Sequence, residues 1–67
     1  MSVARVTEIT ASSPKSFKDA LQLGITRASK TLKNVTGAWI HDQKVVVEKG
    51  KIVQYRVNMK VTFVLDE

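Results

Sequence analysis

Residues 52–65, IVQYRVNMKVTFVL, alternate almost without error. Val53, Tyr55, Val57, Met59, Val61, Phe63 and Leu65 share one parity; Ile52, Gln54, Arg56, Asn58, Lys60, Thr62 and Val64 share the other. Successive side chains of a strand point to opposite sides, so this period of two defines a strand with one apolar face and one mostly polar face. The run is well beyond the usual five or six residues, so it can curl around a single helix and extend past it. The overhang then needs a neighbour.

Immediately before it, Glu48-Lys49-Gly50-Lys51 is a polar turn with a glycine available for a positive φ. Ala38–Glu48 is therefore the other arm of a hairpin. Strict alternation there sets Trp39, His41, Gln43, Val45 and Val47 on one face and Ile40, Asp42, Lys44 and Val46 on the other, so neither face is cleanly inside. If the turn places Val47 opposite Val53, Asp42 lies near Arg56 and Lys44 near Gln54 on the outward face. A shift of one residue would undo that pairing.

Upstream lies the clearest helix. Phe17, Ala20, Leu21, Gly24, Ile25, Ala28 and Leu32 form one stripe at the helical period, with Lys18, Gln22, Thr26, Ser29, Lys30 and Lys33 opposite. Pro14 suits the approach to a helix, and Ser16 with Asp19 has the spacing of a capping box. Gly24 inside the stripe costs about 1 kcal/mol of helix propensity, and close approach to a sheet is the usual gain. Asn34 and Gly37 supply the chemistry that stops the helix. Before the helix, Val3 to Thr10 read as a first strand ending at Thr10-Ala11-Ser12-Ser13-Pro14. Val6 and Ile9 differ in parity, which predicts either a bulge or cover on both faces. The order is βαββ, an α+β fold, and residues 1–67 read as a single domain.

The composition narrows the function. The 67 residues contain no cysteine and one histidine, with a net charge of +5. Disulfides, thiolate nucleophiles and Cys-ligated zinc are thereby excluded. No apolar run approaches the roughly 20 residues of a membrane span, and the N-terminus lacks a signal peptide's apolar stretch, so a cytoplasmic location is expected. Ordering a chain costs about 1.5 kcal/mol per residue, and a core this small barely offsets it, so oligomerisation is the expected remedy. His41 has no second histidine at ligand spacing, the six acids are scattered, and the three glycines form no phosphate loop, so no enzyme activity is expected. Lysines and arginines on the helix support nucleic-acid binding by charge alone, without an aromatic signature or recognition motif. Trp39 is either a subunit-contact anchor or a stacking surface for a flat ligand. Arg56 and Asp42 are either a cross-strand ion pair or groups that bind a polar ligand.

Three stretches carry a resemblance: Thr-Ala-Ser-Ser-Pro-Lys-Ser-Phe (10–17), Arg-Ala-Ser-Lys-Thr-Leu-Lys-Asn-Val (27–35) and Tyr-Arg-Val-Asn-Met-Lys-Val-Thr-Phe-Val-Leu-Asp (55–66). Together with the element order they resemble the dodecin family over nearly the whole chain. The resemblance implies a three-stranded antiparallel sheet curled around its helix. It further implies twelve copies in a hollow shell and flavins held as stacked pairs near two-fold axes, stored or buffered without turnover. The family's flavin-stacking tryptophan position is Gly37 here, with Trp39 two residues on; its ring-binding glutamine is Arg56; its acidic position is Asp42. With Gln43 beside Asp42, the expected ligand-binding set is Trp39, Asp42, Arg56, Gly37 and Gln43, for riboflavin or FMN. A branch without the stacking tryptophan shares Tyr-Arg at this point and is associated with calcium. That gives an alternative in which Asp19, Asp42 or Asp66 contributes to cation sites at symmetry axes, since such ions take six to eight oxygens.

Overall fold

The computed structural model describes residues 3–65. Four elements follow in the expected order: β1 (Ala4–Ser13), α1 (Phe17–Thr31), β2 (Val35–Glu48) and β3 (Lys51–Val64). The strands form one antiparallel sheet in the order β1-β3-β2, so β3 is central and β1 and β2 flank it, parallel to each other. Helix α1 lies on one face, packed chiefly against β1 and β3.

The helix starts as its sequence dictates. Ser16 is the N-cap, its Oγ accepting the Asp19 backbone N–H at 3.0 Å. The Asp19 carboxylate does not complete a reciprocal box; it accepts the hydroxyl of buried Ser13 at 2.5 Å, and Ser13 Oγ accepts the Lys15 N–H at 3.0 Å. A fully buried polar side chain is thus satisfied at the hinge between strand and helix. At the other end Leu32 is already extended and Asn34 takes φ 62°, the left-handed residue that turns the chain. Gly37 plays no part in that stop. It belongs to β2, which begins at Val35 rather than Ala38 because Val35 and Gly37 pair with Phe63 and Thr62. Similarly, β1 runs three residues past Thr10, since Ala11, Ser12 and Ser13 pair with Val57, Arg56 and Tyr55. Long-range pairing overrides turn propensity at both places.

The apolar stripe and the alternating strand meet as expected. Ala20, Ala28, Val57, Met59 and Val61 are buried, with Ile9, Phe17, Leu21, Ile25 and Val35 among the partly buried residues around them. Phe17 meets Tyr55 edge-on, centroids 5.1 Å apart. Gly24 is buried where the helix comes down on Met59 and Ala11. The ladder of β1 is regular from Ala4↔Val64 to Ser13↔Tyr55, so the mixed parity of Val6 and Ile9 reflects no bulge. Ile9 faces the core, and Val6 lies on the other side, half-exposed.

The hairpin closes through two residues, Lys49 (φ 52°) and Gly50 (φ 75°), the paired positive φ of a type I′ turn. A register shift between Val46 and Val47 sets Val47 opposite Ile52 instead of Val53. A lysine in the left-handed region is strained by roughly 1–2 kcal/mol, which asparagine tolerates better. Lys49→Asn is therefore expected to stabilise the fold by about 1 kcal/mol; an unchanged or lowered urea midpoint would contradict this.

The molecule is elongated, 51 × 19 × 13 Å, with a radius of gyration of 13.8 Å. A self-contained domain of this length has about 11 Å. Beyond the small core the hairpin carries exposed Val47, Ile52 and Val53, and Trp39, Ile40, Leu23, Val3, Val6 and Leu65 are also exposed. More large apolar side chains face outward than are buried among the described residues, the reverse of a monomer's usual economy.

Candidate outer-face binding site

The sheet face opposite the helix is polar because the second parity of β3 is polar. Arg56, Asn58 and Lys60 each stand between one residue of β1 and one of β2, giving three rungs: Ser12–Arg56–Lys44, Thr10–Asn58–Asp42 and Glu8–Lys60–Trp39. Strict alternation would have put Trp39 and Asp42 on opposite faces. A bulge prevents this: the register steps from Ile40↔Met59 to Asp42↔Asn58, leaving His41 as the extra residue. That inserted residue brings Trp39 to the same side as Asp42 and Lys44.

The rungs are bonded across the sheet. Thr10 Oγ1 donates to Asn58 Oδ1 at 2.6 Å, and Asn58 Nδ2 donates to Asp42 Oδ1 at 2.7 Å. Arg56 Nε donates to Ser12 Oγ at 3.1 Å and its Nη2 to Gln54 Oε1 at 3.4 Å. Asp42 faces Asn58 and Arg56 faces Lys44, so Asp42 and Arg56 are diagonal neighbours one rung apart on the same side of the sheet. Trp39 is 50% exposed, with Lys60 Nζ 5.9 Å from its ring centroid, at the edge of cation–π range.

Thr10, Asp42, Gln43, Lys44, Arg56 and Asn58 line an open depression of about 570 Å³. Three of the five sequence-derived site residues, Asp42, Gln43 and Arg56, meet there. Gln43 stands opposite buried Val57, on the other parity from Asp42. Trp39 stands one rung from Asp42, and Gly37 one rung further, opposite Thr62 with open space where a side chain would go. Asn58, Lys44, Thr10 and Ser12 were not singled out from sequence. The parity of β3 points to Asn58, but the other three need the register of both flanking strands.

Of the carboxylates of the calcium alternative, the two described ones do not converge within one chain. Asp19 is engaged by Ser13 at the helix start, Asp42 lies on the outer face, and Asp66 is outside the described residues. Among the described residues no group of three His, Cys, Asp or Glu side chains is placed to hold a metal ion, and no helix is long and apolar enough to cross a membrane.

The fold and the site together define a class of protein, a βαββ unit with one open antiparallel sheet and a polar outer face. The Dodecin family model matches residues 3–66, and the chain belongs to the dodecin family. Among solved structures it is similar to dodecin from Streptomyces davaonensis, with a TM-score of 0.94 and 38% identity over 98% of this chain and 97% of that one. Dodecin from Streptomyces coelicolor has a TM-score of 0.94 and 30% identity, covering 98% and 94% of the respective chains. The calcium-chelating immunodominant antigen calcium dodecin from Mycobacterium tuberculosis, described with a novel calcium-binding site, has a TM-score of 0.83 and 29% identity, covering 96% and 91%. The comparison with curated proteins found no match.

Proposed function

We propose that the whole chain, residues 1–67, is one subunit of a hollow homododecamer in the cytoplasm that binds riboflavin or FMN on its outer sheet face and stores it without catalysis. The observation that carries this reading is the bulge at His41, which gathers an aromatic ring, a carboxylate and cationic groups on one side of the sheet. Trp39 offers a stacking surface, and Asp42 an acceptor for ligand hydroxyls. Arg56, held by Ser12 and Gln54, can donate toward ring oxygens. Gly37 leaves room for the ring and Gln43 borders the depression. Self-association is supported by the elongated shape and by exposed Val47, Ile52 and Val53.

The test combines particle mass by light scattering with flavin fluorescence on the same purified sample. A twelve-subunit particle that quenches riboflavin or FMN at micromolar concentration is expected; a monomer, or a particle without quenching, would sink the assembly or the flavin reading respectively. A cation-binding reading is favoured by the similarity to calcium dodecin. Carboxylates such as Asp42 would then act in concert across subunits. It predicts a melting temperature that rises with calcium and falls with a chelator, and a temperature indifferent to both removes it.

A further inference from the structure

Helix α1 carries cations where its own stability disfavours them. Lys18 stands in the first turn and Lys15 just before the Ser16 cap, at the end of the helix whose backbone dipole favours negative charge. Asp19, the carboxylate beside them, is turned onto the Ser13 hydroxyl. At the other end Lys30 and Lys33 border a second shallow depression with Ser29. All four lysines are exposed, and none forms an ion pair with a described residue.

The fold separates the signs of charge. Glu8 stands opposite Lys60 on the outer sheet face, Asp42 belongs to that same face, and Glu48 stands opposite Lys51 in the hairpin. Among the described residues, the four lysines of the helix side therefore face one acid, Asp19, which is already engaged. Between the lysine pairs lie Gln22, Thr26 and Ser29, all polar and exposed. The exposed apolar side chain of the helix, Leu23, stands aside on the groove between α1 and β1.

We infer that this row of α1 binds the phosphate backbone of duplex nucleic acid without reading its sequence. The axial rise from Lys18 to Lys30 is about 18 Å. Two lysine pairs on long flexible stems, set that far apart, reach phosphates on both sides of a groove about 12 Å wide. The hydroxyls and amide between them are donors of the kind that contact phosphate and sugar. Other polyanions fit less well. Single strands are held by stacking on aromatic rings, and the row has none. An anionic membrane takes an amphipathic helix by its apolar face, and that face of α1 is buried against the sheet. Self-association would present the row several times on one particle, and linked copies bind a polyanion far more tightly than one copy does.

The full-length protein is titrated into a labelled duplex DNA of about 20 base pairs, read by fluorescence anisotropy. Affinity is expected to fall by about a hundredfold or more between 50 and 200 mM salt, the loss that follows from about four phosphate contacts. The double variant Lys18→Gln, Lys33→Gln should bind at least tenfold more weakly at 50 mM salt, with a shallower salt dependence. Lys49→Gln, Lys51→Gln removes the same charge from the hairpin turn and should bind like the parent. All four positions are exposed, so neither variant disturbs the core. No binding at 50 mM salt, equal losses in the two double variants, or a more than tenfold preference between duplex sequences overturns the inference. Sedimentation with phosphatidylserine vesicles that is lost in Lys18→Gln, Lys33→Gln also overturns it, by assigning the row to lipid.

Discussion

Replacing Met59 with alanine is expected to destabilise the fold by roughly 2–5 kcal/mol, the range for emptying a large buried site. Met59 is fully buried on the central strand and heads the large buried side chains. A core this small supplies only about 3–5 kcal/mol in total, so the variant should be largely unfolded or melt far below the parent at the same protein concentration. Gly24 makes the test sharper. A Cβ there would lie 2.7 Å from Met59 Cε and 3.1 Å from the Ala11 Cβ. The methionine end can swing away, whereas Ala11 moves only with its strand. Gly24→Ala alone therefore sets a helix-propensity gain of about 1 kcal/mol against crowding. In the Met59→Ala background the shorter contact is gone, and the added methyl should recover part of the loss, with a coupling energy on the order of 1 kcal/mol. Strict additivity in urea denaturation would show that the helix does not sit on Met59 in solution.

The second large effect concerns the ligand. Gly37→Trp is expected to tighten flavin binding about tenfold or more. The position stands opposite Thr62 on the outer face, no neighbouring atom lies within 4 Å of where a Cβ would sit, and its φ is not positive, so a large residue enters without strain. Aromatic stacking contributes about 0.5–1.5 kcal/mol beyond area burial, and tenfold corresponds to about 1.4 kcal/mol. A fluorescence titration checks it. Unchanged affinity in a variant that assembles like the parent would place the flavin elsewhere than this face.

Much of the fold is legible in the sequence because its signals are periodic and local. The stripe from Phe17 to Leu32 marks the helix, the parity of Val57, Met59 and Val61 marks the buried face, and Lys49-Gly50 marks the turn. What escapes a sequence reading is non-local. Ala11 to Ser13 have turn chemistry, yet they pair with β3; Gly37 resembles a helix stop, yet it continues a strand. The bulge at His41 is invisible because one extra residue in a strand leaves no mark in composition, and it alone reverses the parity of Trp39. Asp42 and Arg56 do share a face, as their spacing suggests, and stand as diagonal neighbours one rung apart. The places of Thr10 and Ser12 beside Asn58 and Arg56 emerge only when the β1–β3 ladder is known.

The central position of β3 has a consequence for how such a protein can change over generations. Its odd-numbered residues from 55 to 63 face the helix side, while its even-numbered residues from 54 to 60 face the depression and its surroundings. One strand thus divides two kinds of selection between alternate codons. Drift at the even positions can retune what is held while the odd ones keep the architecture fixed, and a saturation library across this segment would show tolerance rising and falling with every second residue.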